Sequence, residues 1–183
     1  MRISACVVAL ALAGAANGES LAPLASGPGL ARVEAAFTPG DDVEALIVGH
    51  IARARASVQV QAYLFTNRRI ANALAGAARR GVEVEVIGDA HQFEMKGLPV
   101  LRALGKAGAR IYLNAELAAS HNKIVIVDGA SDRATVITGS YNFTQAAQSK
   151  NAENVVIITG DRELAARFVR NFERHRAQSS RLQ

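Results

Sequence analysis

The order of hydrophobic and polar residues predicts that helices alternate with strands along the first part of the chain. A helix is expected after Asp41 and Asp42, because apolar residues then recur at helical spacing, at Val43, Leu46, Ile47 and Ile51. Residues 57–65 alternate apolar with polar side chains, which predicts a strand. A second helix is expected to start at the capping residue Asn67 and to stop at Gly81.

The remaining pattern predicts two more helices and five more strands. The helices cover residues 98–107 and 161–176, and the strands cover 82–86, 110–113, 121–127, 134–138 and 154–159. Strands that first alternate with helices and then cluster together favour an α/β fold class, with a mixed β-sheet layered between helices. The chain shows no internal repeat and no boundary to a second domain, so we expect a single domain.

The N-terminal residues are expected to be a signal peptide. A short positive start is followed by an almost wholly apolar run and then by small residues, and the run is too short to span a membrane. We assign residues 1–16 to this leader, 17–32 to a lead-in and 33–178 to the folded domain, with no strand expected before residue 41. Because the one cysteine, Cys6, lies in the leader, the mature chain would have no thiol nucleophile. We therefore expect a periplasmic or secreted protein without stable membrane insertion.

The chain is basic, with 21 Lys and Arg residues against 16 Asp and Glu and a net charge of +5. Removal of the leader takes away Arg2 and lowers this charge by one. A basic chain suits a polyanionic partner such as nucleic acid or an anionic lipid surface, although ordinary solubility also accounts for it. The pairs Arg53/Arg55, Arg68/Arg69 and Arg79/Arg80 are expected on helices, either as solvated faces or along a groove.

Three short segments carry residues with chemical function: 120–128, 139–144 and 151–154. His121 and Lys123 are two positions apart, so both side chains leave the same face of a strand. If the next strand runs through residues 138–143, Ser140 and Asn142 also share a face. Two adjacent strand ends could then bring an imidazole, an amine, a hydroxyl and an amide into one pocket.

This set of groups suits the cleavage of a phosphodiester bond. A neutral imidazole can attack phosphorus and form a covalent intermediate, while a lysine and other hydrogen-bond donors hold the phosphate oxygens. A carboxylate should orient the imidazole by accepting from its other nitrogen. Asp128 is an odd number of residues from His121, so an unbroken strand points it to the opposite face. Glu153 is therefore the stronger candidate for orienting His121, and Asp128 is expected to fix the turn or to pair with a basic residue.

The pattern His121-x-Lys123-x4-Asp128 resembles the signature of the phospholipase D superfamily, and Gly139-Ser140-x-Asn142 resembles its companion segment. The segments at 61–66 and 151–154 are similar to those of the short, single-signature endonucleases of the Nuc type. The resemblance spans residues 33–176. It implies the catalytic residues His121, Lys123, Asp128 and Glu153, and the phosphate-binding residues Lys123, Ser140 and Asn142.

The family comparison also implies that two signatures build one active site. This chain has one signature, so the resemblance implies a homodimer in which two copies of His121 meet near a two-fold axis. One imidazole would be the nucleophile and the other the acid, and no cofactor or metal would be needed. A divalent metal bound by Asp89, His91 and His121 is the rival arrangement. His50 and His175 are expected to be ordinary helical residues.

We expect a metal-independent phosphodiesterase, and within that chemistry a non-specific endonuclease that cleaves DNA or RNA. A phospholipase D that acts on phosphatidyl lipids is the first alternative, and a non-catalytic module that binds the phosphate backbone is the second. Near the site, Lys150 is the first basic residue expected to contact nucleic acid, and Tyr63 and Phe65 could stack on a base, although Phe65 is more typical of a core.

Overall fold

The computed structural model describes residues 31–183. The expected leader with Cys6, and the lead-in up to residue 30, lie outside the described residues. Within the described part of the chain, no helix is both long enough and apolar enough to cross a membrane.

One mixed sheet of eight strands forms the centre of the domain, in the order β1-β7-β6-β5-β2-β3-β4-β8. Strands β2, β3 and β4 are parallel to one another, and all other neighbours are antiparallel. The strands are β1 (Arg32–Thr38), β2 (Ser57–Ala62), β3 (Glu83–Asp89), β4 (Arg110–Asn114), β5 (Lys123–Val127), β6 (Thr135–Gly139), β7 (Glu153–Thr159) and β8 (Ser180–Arg181).

Helices cover both faces of the sheet. The helices are α1 (Val43–Ala52), α2 (Arg68–Arg79), α3 (Ala90–Gln92), α4 (Leu98–Lys106), α5 (Gln145–Ser149) and α6 (Arg162–Ala177), with a π-helical turn at Phe93–Gly97. Apolar residues of α1, α2, α4 and α5 share one core with one face of the sheet. Residues of α6, including Phe172, pack in a second core with the other face. The predicted α/β single domain with a sheet between helices is confirmed.

Local sequence signals explain where the helices start. The side chains of Asp42, Asn67 and Asp161 each accept a hydrogen bond from a backbone N–H in the first turn of α1, α2 and α6. Gly81 has a positive φ of 86° directly after α2, a conformation that glycine adopts without strain. The caps predicted at these positions are therefore the ones that the structure uses.

One expectation about the strands was wrong, and one condition attached to them was not met. Residues 32–38 form β1, an edge strand that pairs antiparallel with β7, whereas no strand was expected before residue 41. Its alternation is weak because Ala35 and Ala36 interrupt it, and the sheet supplies the partner that the local sequence does not indicate. Strand β6 ends at Gly139, within one residue of the predicted range 134–138, so the condition that a strand runs through residues 138–143 is not met, and Ser140 and Asn142 lie in the loop after the strand.

The topology brings seven strand ends to one edge of the sheet. The C-terminal ends of β1, β2, β3, β4 and β6 lie there, together with the N-terminal ends of β5 and β7. The residues singled out at 120–123, 140–142 and 153 all lie at these ends. We call this side the catalytic edge and the side at the other ends of the same strands the opposite edge.

Candidate active site

His121 and Lys123 lie at the start of β5, at the catalytic edge. The side chain of His121 is exposed, whereas Lys123 is only 7% exposed. The Nζ atom of Lys123 lies 3.1 Å from Nδ1 and 3.3 Å from Nε2 of the His121 ring, and it donates to the backbone oxygen of His121 at 2.7 Å. Because an ammonium group has only donors, the ring nitrogen that accepts from Lys123 carries no proton, and a neutral imidazole has one such nitrogen, so one of the two contacts at a time is a hydrogen bond. An unprotonated ring nitrogen is the atom that can act as a nucleophile.

An aromatic ring supports the other side of this pair. The rings of Tyr63 and His121 have centroids 4.3 Å apart at an angle of 51°, and the Lys123 Nζ lies 5.0 Å from the Tyr63 centroid. Tyr63 directly follows β2, the strand that pairs with β5. The expected base-stacking role of Tyr63 stays a prediction, since this face of the ring is used by His121. Phe65 is buried against Phe143 and belongs to the core.

The segment before His121 is held by a buried carboxylate that the sequence did not single out for this role. Asp89, at the end of β3, is 2% exposed and accepts from the backbone N–H of Ser120 at 2.8 Å and of Gln92 at 3.0 Å. Asn122 donates to Gln61 at 2.9 Å. These hydrogen bonds fix the backbone on both sides of His121, so they hold in place the segment that carries the imidazole.

Ser140, Glu153 and Asn151 form a second polar group at the same edge. Ser140 Oγ donates to Glu153 Oε2 at 2.5 Å and accepts from the backbone N–H of Asn154 at 3.1 Å. The other carboxylate oxygen, Oε1, accepts from Asn151 Nδ2 at 2.9 Å. The sequence reasoning missed Thr38, whose buried hydroxyl accepts from the Glu153 backbone N–H at 3.1 Å. Thr38 ends β1, and its role became visible only once that strand was paired.

The structure does not join Glu153 to His121 by a hydrogen bond within the described chain. The carboxylate is held by Ser140 and Asn151, and the group that contacts both nitrogens of the imidazole is Lys123. Glu153 nevertheless acts on the same pair electrostatically. Burial lowers the pKa of Lys123, and the negative charge of Glu153 partly offsets that decrease. The orienting role of Glu153 stays a prediction.

Asp128 lies at the opposite edge, at the far end of β5. Its carboxylate accepts from the backbone N–H groups of Arg55, Ala56 and Ser57 at 2.7–3.2 Å. It thus ties the turn after β5 to the loop before β2, and its left-handed φ of 50° suits an Asp or Asn. Within the described chain it forms no hydrogen bond to His121 or Lys123, and its observed bonds support the fold, as expected for a residue that fixes the turn. The catalytic role that the resemblance implies for Asp128 stays a prediction.

Asn142 lies in the loop after Ser140. Its side-chain oxygen Oδ1 is buried and has no hydrogen-bond partner among the described residues. A buried acceptor without a partner is costly, and the O–H of a water or an N–H or O–H of a ligand would supply the donor. Gly139 allows this loop to approach β7, because a Cβ at this position would lie 2.1 Å from the backbone oxygen of Asn154.

The rival metal set is not assembled. Asp89 is bound to two backbone N–H groups, His91 is exposed on α3, and residues 31–183 contain no group of three His, Cys, Asp or Glu side chains arranged to hold a metal. Lys150 is exposed directly after α5, near Glu153 in the sequence. Its predicted contact with nucleic acid stays a prediction.

The catalytic edge therefore offers an exposed imidazole, a buried ammonium group beside it, and a hydroxyl and carboxylate in the neighbouring loop. An α/β domain with this set at its strand ends is suited to bind a phosphate group and to attack its phosphorus atom.

Comparisons with known proteins agree with this chemistry. The family model described as "Cardiolipin synthase, PLD-like domain" matches residues 47–176. A relative named "Phospholipase D" from Rickettsia felis is 38% identical over 146 residues, which cover 80% of this chain and 70% of the relative. The chain belongs to the phospholipase D superfamily, and it is a phosphodiesterase of that superfamily.

Two solved structures share the fold. The phospholipase D family member Nuc from Salmonella typhimurium is 29% identical, with a TM-score of 0.79, over 84% of this chain and 99% of that one. NucT from Helicobacter pylori has a TM-score of 0.74 over 84% of this chain and all of that one, at 22% identity. Both are matched over almost their whole length, so the present domain has the size of a complete Nuc-like domain.

Proposed function

We propose that the protein is a metal-independent endonuclease of low sequence preference that cleaves DNA or RNA through a phosphohistidine intermediate. The observation that carries this proposal is the exposed His121 ring with the Lys123 Nζ 3.1–3.3 Å from its nitrogens. The net charge of +5 and the similarity to Nuc over the whole domain support nucleic acid as the substrate.

In the first step, an unprotonated nitrogen of His121 attacks phosphorus, so that an N–P bond forms and the P–O bond to one nucleotide breaks. The departing oxygen takes a proton from an imidazolium. Lys123, with Ser140 and Asn142, holds the remaining phosphate oxygens, on which negative charge develops. In the second step, water attacks the phosphohistidine, the N–P bond breaks, and the other imidazole takes up the proton of the water.

The acid in this scheme is the His121 of a second copy of the chain. Within the described chain, the ring of His121 is in contact with Lys123 and Tyr63, and no hydrogen bond joins it to His50, His91 or His175. A homodimer with the two copies of His121 facing each other would provide the second imidazole. Two such groups in contact favour one neutral and one protonated form, which is the pair that the reaction requires.

The experiment is plasmid nicking by purified residues 17–183 with EDTA present, beside His121→Ala and the control His91→Ala. Both histidines are exposed, so both variants should fold. We expect cleavage that survives EDTA, persists in His91→Ala and falls at least ~10³-fold in His121→Ala. Cleavage that depends on metal and is lost in His91→Ala would instead support the metal arrangement, and absence of DNA cleavage by the folded protein would refute the nuclease proposal.

A phospholipase D activity is the second candidate, because one observation favours it. The large hydrophobic side chains that are exposed in the described chain are Phe37, Met95 and Leu117. They lie at the end of β1, after β3 and in the loop before β5, all segments at the catalytic edge. The name of the Rickettsia felis relative is consistent with this activity. Release of the headgroup from phosphatidylcholine or cardiolipin vesicles, lost in Met95→Ser/Leu117→Ser while plasmid nicking persists, would support it.

The site of action is also part of the proposal. The predicted leader supports a periplasmic or secreted enzyme, where nucleic acid or lipid from outside the cytoplasm would be the substrate. The mass of the protein recovered from the periplasm or the medium tests this, because cleavage after residue 15 or 16 removes the predicted segment.

A further inference from the structure

A cleft at the opposite edge of the sheet carries a concentration of arginines that the proposed reaction does not use. It has a volume of about 970 Å³, and its lining includes Arg32, His50, Arg53, Arg55, Asp128 and Arg133. The five residues of β5 separate it from His121 and Lys123, a distance of roughly 17 Å at the usual rise per residue. The cleft is therefore a different place on the molecule from the active site.

The two carboxylates that line this cleft already have partners within the chain. Glu34 forms an ion pair with Arg32, and Asp128 is bound to the three backbone N–H groups described above. Arg53, Arg55 and Arg133 form no ion pair with any residue of the described chain, 31–183. Four arginines against the two carboxylates Glu34 and Asp128 leave the lining with a net charge of +2 (4 − 2), and three of the arginines have no ion-pair partner.

The positive charge of the cleft also acts on the pKa of His50, the histidine that lines it. The pKa of His50 is lowered to about 4, first by burial and then by the charges of Arg53 and Arg32. At neutral pH His50 is thus uncharged, and it adds a polar ring beside the arginines.

The arginines are spread over a length that suits an extended anion. Arg32 begins β1, Arg133 precedes β6 and Arg55 precedes β2, and these strands lie within the run β1-β7-β6-β5-β2. Four spacings between neighbouring strands amount to about 19 Å. One strand of a DNA duplex advances about 3.4 Å along the axis per phosphate while it also winds around that axis, so this length is enough for several successive phosphates.

We infer that this arginine cleft is a second binding site for the sugar-phosphate backbone of nucleic acid, separate from the active site. The inference rests on the proposed nuclease function for its substrate class. All four cations of the cleft are arginines, whose planar group binds phosphate oxygens in pairs. A bilayer would be bound by cations combined with exposed apolar residues, but Phe37, Met95 and Leu117 are at the other edge. The cleft would hold a flanking stretch of substrate and keep the enzyme on it after a cut.

The test compares two triple variants that each remove three charges. The cleft variant removes the three arginines of the cleft that have no ion pair: Arg53→Gln/Arg55→Gln/Arg133→Gln. The control variant removes one exposed arginine from each of α2, α4 and α6: Arg79→Gln/Arg102→Gln/Arg167→Gln. Both are made in a His121→Ala background, and their binding to a fluorescein-labelled 30-base-pair duplex is followed by anisotropy at several KCl concentrations. We expect the cleft variant to bind at least ~10-fold more weakly, with a salt slope smaller by two to three, and the control to change the slope by less than one.

Equal slopes in the two triple variants would overturn the inference. So would a cleft variant that loses binding to phosphatidylglycerol vesicles but not to the duplex. With His121 restored, the cleft variant should hydrolyse bis(4-nitrophenyl) phosphate at the wild-type rate, which shows that it folds. If the wild-type protein nicks plasmid but the cleft variant binds DNA normally, the cleft inference fails alone. If the cleft variant loses DNA binding but the wild type never cuts DNA, the nuclease proposal fails alone.

Discussion

The polar side chains of the signature at the two edges of the sheet differ in whether their hydrogen bonds are satisfied. Strand β5 runs from one edge to the other. At the catalytic edge, His121 is exposed, Lys123 is buried with a lowered pKa, and Asn142 has a buried oxygen without a partner. At the opposite edge, the Asp128 carboxylate is fully used by three backbone N–H groups. Within the signature and its companion segment, the desolvated or unpartnered groups thus lie at the catalytic edge, and the carboxylate at the opposite edge has its hydrogen bonds satisfied.

This comparison separates residues that stand together in the sequence signature. His121, Lys123 and Asp128 belong to one pattern, yet a five-residue strand places the first two at one edge and the third at the other. Substitutions at the first two should therefore change the rate of reaction and leave folding intact, and substitutions at the third should do the reverse.

The largest effect among these tests is expected for Lys123→Met. Loss of a charged donor to the phosphate should lower the rate of diester hydrolysis by about 10²–10³-fold. Because burial lowers the pKa of Lys123, activity of the wild type should fall at an alkaline pH below the ordinary lysine range, as the ammonium loses its proton. The pH-rate profile with bis(4-nitrophenyl) phosphate measures this, and Lys123→Arg should shift that fall to higher pH. An alkaline limb that stays in place in Lys123→Arg would assign it to another group.

A smaller loss, about 10²-fold, is expected for Glu153→Gln if the carboxylate supports the imidazolium during the reaction. Asn151→Ala is the matched control, because it removes the 2.9 Å hydrogen bond to Glu153 Oε1 but keeps the charge, and Asn151 has no proposed contact with phosphate. We expect the charge to matter more than the hydrogen bond, so Asn151→Ala should retain more activity. Equal losses in the two variants, measured as kcat on the same diester, would mean that the hydrogen bond that holds the carboxylate, and not only its charge, is required.

The opposite edge should show the reverse behaviour in Asp128→Asn. Asparagine tolerates the left-handed backbone but lacks the charge that strengthens the bonds to the three N–H groups, so the free energy of unfolding should fall by about 2 kcal/mol. Urea unfolding measures this loss, and the rate per folded molecule should stay within a few-fold of the wild type. A thousandfold loss of rate in a fully folded Asp128→Asn would break the comparison between the edges.

The smallest effect concerns His50 and acid. Its pKa is about 4 in the folded chain and 6.5 ordinarily, so on acidification the unfolded chain takes up the proton first. The stabilising contribution is complete above about pH 6.5 and is lost as the pH falls through about 4. Between pH 7 and pH 4, His50→Gln should lose about 2 kcal/mol less stability than the wild type in urea unfolding. Identical losses in the two proteins would show that His50 titrates normally.

Much of the fold could be predicted because its signals are local. Asp42, Asn67 and Asp161 cap the helices that the pattern predicted, and the strands at 57–62, 83–89 and 123–127 fall within a few residues of the expected ranges. Strand β1 was missed because its stability comes from pairing with β7, which is more than a hundred residues away in the chain. The end of β6 was predicted to within one residue, but whether Ser140 and Asn142 continue the strand could not be read from the sequence, because Gly139 lies against the backbone of β7.

The same distinction between local sequence signals and long-range pairing applies to the candidate site. The sequence by itself determined the chemical groups, since the spacing of His121 and Lys123 and the companion segment around Ser140 indicated a phosphate-binding, histidine-based site, and the family follows from it. Only the tertiary structure decided the partners: Tyr63 against the imidazole, Asp89 on the backbone before it, Thr38 under Glu153, and Asp128 on the loop before β2. The reason is physical. Alternation along one strand sets the face on which a side chain lies, but the order of strands in the sheet sets which side chains from distant segments meet.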